Sequence, residues 1–212
     1  MTVFYNAVWW LVSYPSGLLY RVRMRGQENL PSGGYVMASS HRSMMDIVLN
    51  ARLTHRPLRY MGKASLFKIP VLGWLFRTLG GFAVQRDGTD RKALRESIEM
   101  LHRGEILLVY PEGTRQNGAK IEPLQPGAAY LALRAGVPVV PVGIAGSEEI
   151  LRSHRMKFPR FGRVAMVVGE PIVPAPLEKS VVPRAQVDAL TEELHEAIQR
   201  VFDEAYELRD DS

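Results

Sequence analysis

Five short stretches of the chain are almost entirely apolar and are bounded by glycine, proline or charged residues. They cover residues 35–39, 81–85, 106–110, 137–144 and 164–168. Short apolar runs between such boundaries are typical of β-strands. Because these runs are apolar at nearly every position, rather than at every second one, they predict a sheet whose two faces are both covered.

Helical patterns alternate with the predicted strands. The predicted helices cover residues 44–53, 91–103, 126–134 and 185–208, where apolar residues recur at helical spacing. Glycine follows the second of these helices and proline begins the third, as expected at a helix end and a helix start. No linker, internal repeat or low-complexity tract divides the chain. The alternation therefore predicts a single α/β domain with a mixed, mostly parallel sheet flanked by helices.

The first 20 residues contain no charged side chain and six aromatic ones. Polar residues, Pro15 and Gly17 interrupt the segment, so that its longest purely apolar run covers only residues 7–12. Aromatic residues are enriched where a membrane meets water. We therefore predict that residues 1–20 form a helical segment that anchors in the plane of a membrane, and that residues 21–212 form the globular domain. The alternative is an aromatic helix packed on the core.

The composition narrows the possible chemistry. The chain is 46% hydrophobic and 23% charged, which is typical of a globular domain and excludes a disordered chain. It has no cysteine, which excludes disulfides, zinc–thiolate and iron–sulfur sites, and a cysteine nucleophile.

The charge is distributed unevenly. Residues 21–86 carry a net charge of +9, whereas residues 87–212 carry −4. This basic block predicts an anionic partner, which could be phospholipid head groups, nucleic acid or a phosphorylated cofactor. The arginines that follow the apolar segment argue against a cleaved signal peptide and predict the cytoplasmic face of the membrane.

One histidine stands out from the other four. His41 follows the predicted strand 35–39, and Asp46 lies five residues later, at the start of a predicted helix. A carboxylate in the first turn of that helix could orient the imidazole and stabilise its protonated form, as in the base half of a catalytic triad. Alternatively, Asp46 could simply complement the helix dipole.

Polar residues also follow two other predicted strands. Arg86 comes after residues 81–85, and Glu112, Gly113, Thr114 and Arg115 come after residues 106–110. The carboxyl ends of parallel strands converge on one crevice in α/β sheets. Two arginines there would suit a phosphate, and Gly113 would allow a close backbone approach.

Four blocks of the sequence together resemble a known family. HRSMMD, GGFAVQR, YPEGTR and VPVVPV match the lysophospholipid acyltransferases in order and spacing, and the chain is most similar to the 1-acylglycerol-3-phosphate acyltransferases. The resemblance covers residues 20–175. Family members often have asparagine where this chain has Ser40, and serine where it has Gln116.

The resemblance implies both an activity and a role for each site residue. His41 would deprotonate the free hydroxyl of lysophosphatidate, which attacks an acyl thioester of coenzyme A or acyl carrier protein directly and gives phosphatidate. Asp46 would orient His41, Arg86 and Arg115 would clamp the phosphate, and residues 112–114 would contact glycerol and phosphate. The resemblance implies no metal, no further cofactor and no nucleic acid. It implies a peripheral or monotopic protein on a phospholipid surface.

Other functions remain open at this point. The acceptor could be another lysolipid or glycerol-3-phosphate. A nucleic-acid-binding domain would fit the basic first half, and a catalytically silent lipid-binding protein could keep the same motifs. The apolar stretch 66–79, which contains no acidic residue, could lie at the bilayer, line an acyl groove or belong to the core.

Overall fold

A seven-stranded sheet with helices on both faces forms the protein in the computed structural model, which describes residues 2–85, 90–151, 160–177 and 181–211. The strands are β1 (Arg23–Arg25), β2 (Tyr35–Ser39), β3 (Leu58–Lys63), β4 (Gly81–Val84), β5 (Ile106–Val109), β6 (Val139–Ala145) and β7 (Ala165–Val168). The helices are α1 (Thr2–Leu19), α2 (Asp46–Arg52), α3 (Ala64–Phe67), α4 (Pro70–Thr78), α5 (Arg91–His102), α6 (Gly127–Ala135), α7 (Ser147–Ile150) and α8 (Arg184–Asp210).

The sheet is mostly parallel, as predicted. Its strand order is β1-β7-β6-β2-β5-β3-β4. The five strands from β6 to β4 run in one direction, whereas β7 is antiparallel to β6 and β1 is parallel to β7. Strand β2 lies in the middle, where Ala38 is opposite Val109 on β5 and Pro141 on β6.

All five predicted strands and all four predicted helices are confirmed, within a few residues at their ends. Two strands were not predicted. Strand β3 alternates buried Leu58 and Tyr60 with charged Arg59, so it has no continuous apolar run. Strand β1 has an exposed arginine on either side of Met24, so it has no apolar run either. It is an edge strand, paired on one side only, and its arginines remain exposed.

The core lies on both faces of the sheet, as continuous apolar strands require. Helices α5, α6 and α8 cover one face, and α2 and Tyr20 cover the other. Gly143 on β6 allows a close approach of α8, since a Cβ there would come within 2.2 Å of the Val201 carbonyl oxygen. The packing therefore fixes α8 against the strand next to β2.

Helix α1 packs on the domain through one face and exposes apolar side chains on the other. The Trp9 indole N–H donates to the Ala51 carbonyl at 2.6 Å, and Tyr20, just after the helix, is buried. In contrast, Leu11 and Leu18 are 75% and 79% exposed. The helix thus combines the docking of a packed helix with the outer surface expected of a membrane anchor, and its membrane role stays a prediction.

A second exposed apolar surface lies on α3 and α4. Phe67 is buried, so core packing accounts for this residue. Ile69, Val71 and Trp74 are largely exposed, and core packing does not account for them. None of the helices in the described part of the chain has both the length and the apolar character that a bilayer crossing needs.

Candidate active site

Two loops leave the sheet side by side at its carboxyl edge. Strand β2 ends at Ser39 and is followed by the turn that carries His41, while β5 ends at Val109 and is followed by the loop of residues 110–116. Because the two strands are parallel neighbours, the loops meet at the same edge. The backbone N–H of Gln116 donates to the His41 carbonyl at 2.9 Å, which joins the loops directly.

His41 and Asp46 form the expected pair. Nδ1 of His41 lies 2.9 Å from Oδ2 of Asp46, which is fully buried at the start of α2. The same carboxylate oxygen accepts the backbone N–H groups of Arg42 and Ser43, both at 2.7 Å. This carboxylate oxygen already accepts two N–H groups, so it is also the acceptor in its hydrogen bond with His41. We therefore assign the proton to Nδ1, which leaves Nε2 with a lone pair that can take a proton. The His41 side chain is 16% exposed and is therefore accessible to a substrate.

Tyr110 packs flat against the imidazole. The ring centroids of His41 and Tyr110 are 3.9 Å apart and the planes differ by 16°. Burial raises the pKa of Tyr110 well above its ordinary value, and the negative charge of Asp46 adds to this effect. The phenol therefore stays neutral, and its contribution to the site is the planar contact that restricts the His41 ring.

Buried polar residues connect the His41–Asp46 pair to the sheet. The Asn50 amide donates to the Ser39 hydroxyl at 3.1 Å and to the Asp46 carbonyl at 2.9 Å. Ser40, where the family often has asparagine, accepts the Ile144 N–H of β6 at 3.0 Å. The serine at position 40 therefore supplies a side-chain hydrogen bond between the turn after β2 and strand β6.

The 110–116 loop carries an arginine next to Gln116, the residue that is hydrogen-bonded to the His41 carbonyl. Gly113 has a φ of 76°, a left-handed conformation that favours glycine. Thr114 is exposed, and its hydroxyl accepts a hydrogen bond from the Gln116 amide at 3.1 Å. Arg115 is half-buried and has no hydrogen-bond or ion-pair partner among the described residues. Its guanidinium is therefore available to an anionic ligand.

Glu112 is buried, whereas Gly113 and Thr114, which follow it, are exposed. Its carboxylate is buried and accepts the His41 N–H at 2.9 Å, Nη1 of Arg42 at 2.9 Å and the Glu122 N–H at 3.2 Å. Arg86, the other predicted clamp residue, lies outside the described residues. Strand β4, which precedes it, ends at Val84 at the same edge of the sheet as β2 and β5.

Sequence reasoning missed three residues that contact the His41–Asp46 pair, namely Arg42, Asn50 and Tyr110. Arg42 lies inside the HRSMMD block, where a single charged residue gives no sign of being buried. Asn50 on α2 and Tyr110 after β5 meet only in the folded protein, where the Asn50 amide donates to the Tyr110 hydroxyl at 3.4 Å, and a linear pattern does not display this contact. In the described ranges of the chain, no three His, Asp or Glu side chains are close enough to share a metal ion.

The fold and the site together define an α/β protein with a His–Asp pair at the carboxyl edge of its sheet, in a turn that is hydrogen-bonded to the loop of Arg115. Comparison with known proteins identifies its family. The sequence pattern of the Acyltransferase family matches residues 21–145, which is more than half of the chain. The chain belongs to the acyltransferase family.

Individual relatives carry related names. A 1-acyl-sn-glycerol-3-phosphate acyltransferase of Chlamydomonas reinhardtii is 33% identical over 81% of this chain and 52% of its own length. A lyso-ornithine lipid O-acyltransferase of Pseudomonas aeruginosa is 34% identical over 65% of this chain and 52% of its own length. The chain spans about half the length of the curated relatives it matches first.

A solved structure has the same fold. The crystal structure of the 1-acyl-sn-glycerophosphate (LPA) acyltransferase PlsC from Thermotoga maritima superimposes with a TM-score of 0.77 at 28% identity. The match covers 94% of this chain and 78% of the other. The α/β fold predicted from the sequence is therefore the fold of an acyltransferase.

Proposed function

We propose that this protein transfers a fatty acyl group from an acyl thioester to the free hydroxyl of 1-acylglycerol-3-phosphate, giving phosphatidate. The observation that carries the proposal is the His41–Asp46 pair at 2.9 Å, in a turn that is hydrogen-bonded to the loop of Arg115. The names of the relatives, several of which are 1-acyl-sn-glycerol-3-phosphate acyltransferases, support the choice of acceptor.

In the proposed reaction, Nε2 of His41 takes the proton of the acceptor hydroxyl. The oxygen attacks the thioester carbonyl, the carbon–sulfur bond breaks, and the protonated imidazole returns its proton to the departing thiolate. Asp46 holds the ring in the required tautomer and stabilises the imidazolium. A thioester is already activated, so a positioned base worth about 10²- to 10⁴-fold and a site for both substrates suffice.

The phosphate of the acceptor would bind at the 110–116 loop. Arg115 offers an uncommitted guanidinium, and Gly113 and Thr114 offer exposed backbone and hydroxyl groups next to it. Arg86 remains the proposed second arm of the clamp. The acyl donor would be coenzyme A or acyl carrier protein, which present the same kind of thioester, and the reaction needs no further cofactor.

Release of free thiol from an acyl-coenzyme A tests the proposal. Because the protein contains no cysteine, a thiol reagent responds only to the coenzyme that is released. We expect thiol release that depends on added lysophosphatidate and is abolished by His41→Ala. The matched control is His102→Ala, at an exposed histidine on α5, which should leave the rate unchanged. Thiol release that does not depend on added lysophosphatidate, or that persists in His41→Ala, would contradict this mechanism.

A second acceptor deserves direct comparison. The Pseudomonas aeruginosa relative is named for a lyso-ornithine lipid and is 34% identical. Lysophosphatidate, glycerol-3-phosphate and lyso-ornithine lipid should therefore be assayed side by side with one acyl donor. Fastest turnover of lysophosphatidate is the expected result, whereas a preference for lyso-ornithine lipid would move the proposal to that acceptor.

We also propose that the protein lies on the cytoplasmic face of a membrane through the outer face of α1 and the exposed part of α4. Both surfaces expose apolar side chains, and exposed Arg21, Arg23 and Arg25 follow α1 directly. Cations beside an interfacial apolar face favour anionic phospholipids. Flotation with anionic vesicles, run beside titration with a labelled oligonucleotide, separates this proposal from nucleic-acid binding. Thiol release separates an enzyme from a silent lipid-binding protein.

A further inference from the structure

A fully buried ion pair lies next to the base. Nη1 of Arg42 is 2.9 Å from Oε2 of Glu112, and neither side chain has any exposed area. Burying two charges costs several kcal/mol per ion, and only excellent geometry with further hydrogen bonds compensates for it. A buried pair therefore needs further hydrogen bonds, and the residues that supply them indicate its role.

Four separate segments supply these surroundings. Nη2 of Arg42 donates to the Lys120 carbonyl at 2.9 Å, and the guanidinium carbon lies 4.7 Å from the centre of the Phe202 ring on α8. Glu112 accepts the backbone N–H groups of His41 and Glu122 as well as the Arg42 guanidinium. The pair therefore joins the turn after β2, the loop after β5, residues 120–122 and α8.

The backbone of His41 is held on both sides by the loop that carries Arg115. Its N–H donates to the Glu112 carboxylate at 2.9 Å, and its carbonyl accepts the Gln116 N–H at 2.9 Å. Arg42, the next residue, fixes the same carboxylate from its other oxygen. The position of the imidazole relative to Arg115 thus depends on where Glu112 is held.

We propose that Arg42 and Glu112 are positioning residues that hold the backbone of His41 against the loop of Arg115, and that the Glu112 carboxylate does not contact the acceptor lipid. This inference rests on the proposed acyl transfer. It follows from the carboxylate being buried and bonded to three protein donors, with no exposed area for a glycerol hydroxyl or a phosphate.

Two substitutions break the pair from opposite sides. Glu112→Gln keeps the shape but removes the negative charge, and Arg42→Met removes the positive one. Each should lower kcat by about 10²-fold, the cost of misplacing reacting groups by about 1 Å. The apparent KM for lysophosphatidate should change little, because Arg115 remains on its loop. The double variant should be no slower than either single variant, since residues of one network are not additive.

The control is the same substitution at the other end of the same strand. Glu105 precedes β5 and pairs with Arg59 and Arg103, so Glu105→Gln also removes an ion-paired carboxylate. It should leave kcat and KM unchanged. Arg42→Lys, which keeps the charge with fewer donors, should recover part of the kcat that Arg42→Met loses. It also serves in place of Arg42→Met if that variant does not fold.

Amide hydrogen exchange gives a readout that does not need turnover. Exchange at the His41 and Gln116 amides should be faster in Glu112→Gln than in the unaltered protein, and unchanged in Glu105→Gln. A raised KM with normal kcat, additive losses in the double variant, or unchanged exchange would each overturn the positioning role. Absence of thiol release from the unaltered protein would instead reject the acyl transfer, and amide exchange would still decide whether the pair holds the two loops together.

Discussion

On the scale of single residues, His41 is held by contacts of three different kinds. Asp46 fixes Nδ1 by a charged hydrogen bond, and Tyr110 restricts the ring by stacking. Glu112 and Gln116 fix the backbone. Only the first of these is visible in the sequence, because residues 41 and 46 are close in the chain and the helix start brings them together. The others join residues about seventy positions apart and depend on which strands are neighbours.

Replacing Arg115 tests the proposed phosphate site. Arg115→Ala should raise the apparent KM for lysophosphatidate by roughly 10- to 100-fold, which is the equivalent of a lost charged hydrogen bond of about 1.5–3 kcal/mol. Initial rates measured over a range of acceptor concentrations give this value. Arg134→Ala, at an exposed arginine on α6, is the matched control. An unchanged acceptor dependence would place the phosphate elsewhere.

Replacing Tyr110 tests the stacked contact. Tyr110→Phe keeps an aromatic ring against the imidazole, so kcat should stay close to that of the unaltered protein. Tyr110→Leu removes the stack and should lower kcat by about 2- to 10-fold, in line with the energy of an aromatic pair. Steady-state rates of both variants at saturating acceptor decide the question. Equal rates for the two variants would show that the stack does not assist the base.

On the scale of elements, apolar continuity was the reliable signal. Strands β2, β5 and β6 are buried along almost their whole length, and the sequence pattern identified each of them. Strands β1 and β3 each contain two charged residues, so neither has a continuous apolar run and the sequence pattern did not identify them. Helix α1 shows a further limit, since an uncharged segment does not reveal which of its faces will be packed.

The exposed face of α1 predicts a specific effect on membrane binding. Leu11→Gln combined with Leu18→Gln should weaken binding to anionic vesicles, because burying each leucine fully is worth about 1.5–3 kcal/mol. Vesicle flotation measures the loss. Turnover of detergent-dispersed substrate should be unaffected. Val173→Gln, at an equally exposed residue outside α1 and α4, should leave flotation unchanged. Equal flotation of all three proteins would contradict the anchoring role.

On the scale of the whole molecule, the two ends of β5 carry acidic residues with different surroundings. Glu112 follows the strand inside the protein, whereas Glu105 precedes it near the surface. Burial raises the pKa of Glu105, but hydrogen bonds from Arg103 and Arg59, together with the charges of both arginines, outweigh burial and hold the pKa below its ordinary value. Folding therefore favours the charged form of this carboxyl group.

The lowered pKa of Glu105 determines how its contribution to stability changes with pH. A lowered pKa in the folded state stabilises the fold above the ordinary carboxyl pKa of 4.5, and that contribution is lost as the pH falls through the folded value. Glu105→Gln should thus reduce the free energy of unfolding at neutral pH and have progressively less effect below 4.5. Urea unfolding of both proteins at several pH values provides the measurement. A difference that grows in acid would contradict the assignment.

Arg42 contacts Phe202, which is 160 positions later in the chain, so this contact forms late during synthesis. A ribosome adds about 5–20 residues per second and releases the amino-terminal part first. The turn after β2 and the loop after β5 emerge well before α8 is complete. The Arg42 guanidinium is therefore synthesised before the Phe202 ring that covers it. A nascent chain can therefore already carry His41, Asp46 and Arg115 while Arg42 is still uncovered, and this part of the core is complete only after α8 has been translated.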